Sequence, residues 1–132
     1  MVTATHVNLY RASGGRIGKR ISGVPILLLE HVGRKSGKRR TTPLMYVEDG
    51  DDLVLIASFG GAPKHPSWWI NLRANPETTV QVGSERRSVR AREALPEERE
   101  RLWDKAVDAY SDYAVYETRT DREIPVVVLS RV

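Results

Sequence analysis

Apolar residues recur along this chain with two periods, and each change of period marks an element. In residues 7–21, Val7, Tyr10, Gly14, Ile17 and Ile21 fall at helical spacing, which predicts an N-terminal helical segment within residues 1–22. Gly14, Gly15 and Gly18 weaken that helix. Residues 25–32 hold the nearly unbroken apolar run Ile26-Leu27-Leu28-Leu29, the pattern of a strand covered on both faces. Two glycines punctuate residues 33–38, and residues 40–47 read as a second strand. Asp49-Gly50 is a hairpin signal ahead of a third strand at residues 53–58. Gly60, Gly61 and Pro63 break it.

Pro66 suits the start of a helix, and Asn75-Pro76 marks its stop. Residues 78–82 form a fourth strand, and Gly83-Ser84-Glu85 turns into a fifth at residues 87–94. There Val89, Ala91 and Glu93 alternate with Ser88, Arg90 and Arg92. Pro96, with Glu97 and Glu98 in the first turn, opens a helix whose apolar face is Leu102, Trp103, Ala106, Val107 and Tyr110. A last strand covers residues 124–129, with Pro125 near its start, where a missing donor is tolerated. Tight turns between neighbouring strands imply antiparallel pairing. The expectation is an α+β fold: a small β-barrel of about six mostly antiparallel strands, an N-terminal helix and two or three further short helices. The hairpins, and the lack of a G-x-G-x-x-G turn between a strand and a helix, count against a Rossmann fold.

The chain has 132 residues, the size of one domain. No apolar run approaches the length of a membrane span, and the N-terminus lacks the pattern of a secretory signal. Cysteine is absent, which removes disulfides, thiolate catalysis and Cys-ligated metal, and fits a cytoplasmic setting. The net charge of +4 is unevenly spread: residues 1–40 hold nine Lys or Arg and one acid, Glu30. The basic character belongs to the first third, where an anionic ligand or surface would meet the protein. The basic N-terminal segment could thereby make peripheral contact with anionic lipid. The acidic balance of the remainder argues against a broad nucleic-acid face.

Three stretches carry candidate chemistry. In Gly33-Arg34-Lys35-Ser36-Gly37-Lys38-Arg39-Arg40, five cations sit in eight residues without an acid. Arg and Lys suit phosphate and carboxylate groups, and the flanking glycines let backbone approach a ligand. It is not a Walker loop, because three residues rather than four separate Gly33 from Gly37 and Arg39 follows Lys38. The second stretch, residues 58–72, joins Gly60 and Gly61 to Ser67, Trp68, Trp69 and Asn71, a wall suited to a flat ligand. On a helix Trp68, Asn71 and Leu72 share one face while Trp69 points away. In the third, Tyr110, Tyr113 and Tyr116 would cluster if helical, and phenols suit either a pocket wall or a core stripe. His6, His31 and His65 have no metal-binding spacing, so no metal is expected, and there is no nucleophile elbow. His65 reads as a satisfied loop residue rather than a base. An anion clamp and an aromatic pocket without an evident catalytic group suggest chemistry borrowed from a cofactor.

Taken together, residues 33–44 (G-R-K-S-G-K-R-R-T-T-P-L), 57–76 and 120–129 (T-D-R-E-I-P-V-V-V-L) resemble the deazaflavin-dependent nitroreductase family of actinobacteria. The resemblance implies a split β-barrel and coenzyme F-420, a deazaflavin ring bearing an anionic phosphodiester–oligoglutamate tail. It implies that Arg34, Lys35, Ser36, Gly37 and Arg40 hold phosphate and tail. Thr41, Thr42, Pro43, Leu44 and Met45 would run along the ring and ribityl chain. Ala57, Ser58 and Phe59 would lie beside the cofactor, with Ser67, Trp68, Trp69 and Asn71 as the next wall. Met45, Tyr110, Tyr113 and Tyr116 would line a substrate pocket, with Ser58, Tyr113 and Tyr116 orienting the acceptor. Met45, Ser67 and Phe59 stand where some members have Tyr, Met and Lys. The expected activity is hydride transfer between the deazaflavin and a small organic acceptor such as a quinone or nitroaromatic compound. Flavin mononucleotide in the same barrel, a non-catalytic deazaflavin carrier and a small nucleic-acid-binding domain are the competing readings.

Overall fold

The computed structural model describes residues 20–21 and 24–132. Most of the predicted N-terminal helix lies outside the described residues. Within that segment Arg20–Ile21 form a short strand instead of helix, β1, paired antiparallel with the start of β2. The remaining strands are β2 (Val24–Val32), β3 (Arg39–Met45), β4 (Val47–Asp49), β5 (Asp52–Ile56), β6 (Glu77–Val82), β7 (Glu85–Glu93) and β8 (Val126–Arg131). The helices are α1 (Ser67–Ala74), α2 (Pro96–Ala109) and α3 (Asp112–Thr118). The strands make one curled sheet in the order β1-β2-β6-β7-β8-β5-β4, with β3 on β2. Every pairing is antiparallel. The architecture is an α+β split barrel.

The count of eight strands rather than six has a physical reason. The strand expected at residues 40–47 is interrupted at Tyr46, where the chain changes partner. β3 pairs with β2, whereas β4 pairs with β5. At the corner the Tyr46 N–H donates to the Pro25 carbonyl at 3.1 Å, so no backbone donor is lost. Pro43 sits inside β3 opposite Leu28, which is tolerated because, among the described residues, β2 is the one strand that β3 pairs with.

Three strands are buried on both faces, as the apolar run in β2 predicts. Leu27 and Leu29 of β2, Leu53 and Leu55 of β5, and Val127 and Leu129 of β8 enter the core beneath α1, with Trp68, Trp69 and Leu72. Their neighbours Val54, Ile56, Val126 and Val128 face the other way and pack under α2 and α3, against Leu102, Ala106 and Tyr113. α2 begins at Pro96, with the Glu98 carboxylate accepting the Leu95 N–H at 2.9 Å. Among the described residues no helix is long and apolar enough to cross a membrane.

Candidate active site

A cavity of about 800 Å³ opens at the end of the barrel. Thr42, Pro43, Leu44 and Met45 of β3 form one wall, and Ser58, Phe59 and Gly60 another. Ser67 and Trp68, at the start of α1, and Tyr110, Tyr113 and Tyr116 complete it. A groove of about 420 Å³ adjoins it, lined by Gly33, Arg34, Lys35, Ser36, Ile70 and Asn71. Arg40 and Ser67 line both, so the apolar cavity and the basic groove meet along these two side chains.

The basic turn between β2 and β3 closes on its own backbone. Gly33 N–H donates to the Lys38 carbonyl, and Gly37 N–H to the Gly33 carbonyl, each at 2.9 Å. Gly37 has φ +70, a conformation side chains disfavour. Lys38 N–H donates to Ser36 Oγ at 3.2 Å. Arg34 N–H ties the turn to the body by donating to Asn71 Oδ1 at 3.0 Å. Residues 34–40 are exposed, and none of their five cations pairs with a described acid. These charges are uncommitted and open to an anionic ligand.

Behind the turn lies His31, 4% exposed. Its Nδ1 faces Asn71 Nδ2 at 3.0 Å and its Nε2 faces Thr42 Oγ1 at 2.8 Å. Burial, then the Arg40 charge, push its pKa below the ordinary 6.5, so it is neutral near pH 7.

The glycine-rich loop across residues 57–62 makes two turn bonds of its own, Gly61 N–H to the Ser58 carbonyl and Ala62 N–H to the Phe59 carbonyl, and is gathered further by one guanidinium. Arg122 donates to the carbonyls of Ser58 at 2.7 Å, Ala62 at 2.9 Å and Ala57 at 3.2 Å, and to His65 Nδ1 at 3.1 Å. Phe59 adopts φ +49, the one non-glycine residue with positive φ among those described, and is 52% exposed at the cavity. A Cβ on Gly61 would stand 2.7 Å from the Tyr116 carbonyl and 2.8 Å from Arg119 Cβ. Only glycine lets α3 close onto this loop.

That closure brings the tyrosines together. Tyr110 and Tyr113 meet edge to face at 5.1 Å between ring centres, and Tyr116 lies 6.3 Å from each. The Tyr110 and Tyr116 hydroxyls are 3.2 Å apart, so one donates to the other. The hydrogen bond with Tyr116, burial and nearby Asp112 push the Tyr110 pKa upward. Burial, then Tyr116, do the same for Tyr113. Both are therefore protonated donors near neutral pH, not bases.

The family model for the F420-H(2)-dependent quinone reductases matches residues 2–131. The chain belongs to that family. It is 44% identical over 130 residues to an F420-H(2)-dependent quinone reductase of Mycobacterium tuberculosis, covering 96% of this chain and 87% of that one. A solved F420-H2 dependent reductase, FDR-A, superposes with a TM-score of 0.74 at 50% identity, over 80% of this chain and 94% of that one. A second solved relative, described as a domain-swapped dimer, has a TM-score of 0.76 at 42% identity, over 96% of this chain and 94% of that one. The protein is thus an oxidoreductase whose cofactor is coenzyme F-420. The residues present fit that group: an aromatic-walled apolar cavity suits a flat ring, and the adjoining groove offers unpaired cations to an anionic tail.

Most residues singled out in the sequence of this quinone reductase homologue come together at the cavity and groove, but not all. Trp69 is 2% exposed in the core, with Arg73 over its ring at 5.5 Å and Nε1 without a hydrogen-bond partner. Ala57 is fully buried and lines neither space, and Thr41 and Gly37 are likewise absent from both walls. Asn71 borders the groove, but its side chain is spent on Arg34 and His31. His65 is a satisfied loop residue, as expected. The sequence reading missed His31 and Arg122 as site-shaping groups. For His31 a signal existed: a polar ring inside an otherwise apolar strand. Arg122 gave none, since its partners lie about 60 residues away.

Proposed function

We propose that this oxidoreductase reduces a quinone held against the cofactor in the tyrosine-lined cavity. One observation carries the reading: an apolar, aromatic-walled cavity runs into a groove of uncommitted cations. In this reading Arg34, Lys35, Ser36 and Arg40 bind the phosphodiester and the tail carboxylates. Thr42, Pro43, Leu44 and Met45 support the ring and ribityl half from one side, and Ser58, Phe59, Ser67 and Trp68 from the other. When bound in reduced form, the deazaflavin supplies a hydride to an organic acceptor. Tyr113, Tyr116 and Ser58 orient that acceptor, and a phenol of the Tyr110–Tyr116 pair donates a hydrogen bond to the oxygen that gains charge. The ring of Tyr113 and the exposed ring of Phe59 exclude water from the reacting faces. Nitroaromatic compounds share the flat shape and electrophilic character of quinones and fit the same cavity.

The protein is further proposed to act in the cytoplasm, with residues 1–22 touching anionic lipid through Arg11, Arg16, Lys19 and Arg20, unopposed by an acid. Co-sedimentation with anionic vesicles, lost at high salt, tests that contact. For the activity, fluorescence titrations with oxidised coenzyme F-420 and flavin mononucleotide come first. Preference for coenzyme F-420 and quinone-dependent oxidation of the reduced cofactor are expected. Equal or tighter flavin mononucleotide binding overturns the cofactor assignment to the groove. Binding without turnover on any quinone overturns the assignment of the tyrosine-lined cavity to a quinone acceptor.

A further inference from the structure

A directed chain of hydrogen bonds runs through the cavity wall, and its first member fixes the sense of the rest. The Arg34 backbone N–H can only donate, so Asn71 must present Oδ1 to it. The other end of the amide, Nδ2, is a donor only and faces His31 Nδ1 at 3.0 Å. Nδ1 therefore carries a lone pair, and the neutral ring keeps its hydrogen on Nε2. Nε2–H donates to Thr42 Oγ1 at 2.8 Å. The Thr42 oxygen is thus an acceptor toward His31, and its own hydrogen is left to point elsewhere. An imidazolium would set an N–H against the Asn71 amide hydrogens. Burial and the Arg40 charge also disfavour it. Both His31 and Thr42 line the cavity.

We propose that His31 is a positioning residue that holds the Thr42 hydroxyl as a hydrogen-bond donor into the cavity, toward an acceptor atom on the ring and ribityl half of the cofactor. The inference rests on the reading that the cavity holds that half. It also makes Asn71 a physical link between the basic turn and the cavity wall, because one amide serves both. A residue that merely filled space beside Thr42 would not depend on tautomer.

The test is a set of fluorescence titrations with coenzyme F-420 and with its tail-less ring–ribityl fragment. Thr42→Val should weaken fragment binding about 3- to 10-fold, the worth of one neutral hydrogen bond. His31→Leu should cost the same, and the double variant no more than Thr42→Val alone, because His31 acts only through that hydroxyl. His31→Gln should bind like the parent, since its amide oxygen accepts from Asn71 and its NH2 donates to Thr42. Asn71→Asp is near-isosteric and serves if His31→Leu does not fold. At a pH where nitrogen NMR shows its imidazole neutral, the carboxylate holds the hydrogen on Nδ1, which turns Nε2 into an acceptor and draws the Thr42 hydrogen away from the ligand. It should weaken the fragment as Thr42→Val does. Nitrogen NMR of the imidazole should show Nε2–H in the parent and a change of pattern in Asn71→Asp. Additive losses in the double variant, no rescue by Gln, parent-like binding of Asn71→Asp with a neutral Nδ1–H ring, or an Nδ1–H parent each overturn the proposal. Failure of the parent to bind either probe instead overturns the assignment of the cavity to the cofactor.

Discussion

The basic turn at residues 33–40 and the glycine-rich loop at residues 57–62 both border the cavity, yet their cations are used in opposite ways. In the turn, backbone bonds between Gly33, Gly37 and Lys38 and one amide from Asn71 supply the shape. Five side-chain cations are left over, exposed and without an acidic partner among the described residues. In the loop, three successive residues, Phe59, Gly60 and Gly61, stand at positive φ, and two local backbone bonds, Gly61 N–H to the Ser58 carbonyl and Ala62 N–H to the Phe59 carbonyl, are supplemented from outside. One guanidinium from a distant segment gathers the carbonyls of Ala57, Ser58 and Ala62 and is committed to the wall in doing so. A charge used to build the wall is not free to bind, and a charge free to bind contributes little to the fold. Cation substitutions should therefore separate stability from affinity according to the loop they serve.

Arg122→Leu should have the largest effect. It strands several carbonyls in a half-buried loop, and should cost about 3 kcal/mol in urea unfolding. Arg122→Lys should recover little, because one ammonium cannot span four acceptors in the guanidinium's plane. Parent-like stability of Arg122→Leu would mean that the loop holds itself. On the other side of the comparison, Arg34→Ala or Lys35→Ala should lower coenzyme F-420 affinity by roughly 10- to 150-fold, about 1.5–3 kcal/mol, with an unchanged urea midpoint. The salt dependence of binding should also become shallower. Parent-like affinity in both would move the anion site off the turn.

The tyrosines sharpen the contrast, since they close over the loop that Arg122 shapes. Tyr113→Phe or Tyr116→Phe keeps the ring and deletes a hydroxyl. Turnover with a quinone should fall about 10-fold, roughly 1.4 kcal/mol in the barrier, while cofactor affinity and melting temperature barely move. Unchanged turnover in both would reduce the cluster to packing. A gentler probe is pH. His31 and His65 both have folded pKa values below the ordinary 6.5. The unfolded chain therefore takes up protons that the folded chain refuses as pH falls below 6.5, so stability is full above that value and declines beneath it. His31→Gln and His65→Gln should each flatten this decline in urea midpoints. A parent with no acid-side decline would contradict the buried neutral state of His31. The smallest effect belongs to Trp69→Phe. Removing a buried unpartnered N–H offsets the smaller ring, so stability should stay within about 1 kcal/mol and cofactor affinity should not change.

Much of this was legible before the fold. The leucines of β2, the alternation in β7 and the acids opening α2 all act over a few residues, where periodicity reports burial directly. The basic turn was equally plain, because its bonds lie within six residues. Tyr46 was not: its sequence continues a strand, and only the closure of the sheet makes the chain leave β2 for β5 there. Trp68 and Trp69 look alike in sequence and both join the core, but helix geometry lets Trp68, and not Trp69, also reach the cavity wall.

The sequence by itself determined most of the strand and helix segments, where the free positive charge would lie, and the family with its cofactor. Those depend on local period, composition and short motifs. Only the tertiary structure decided how polar side chains spend their hydrogen bonds. His31 finds Asn71 40 residues along the chain, and Arg122 finds the loop carbonyls more than 60 residues back. A lone histidine or arginine carries no local mark of such a partner, because the partner exists only once the barrel has closed around it.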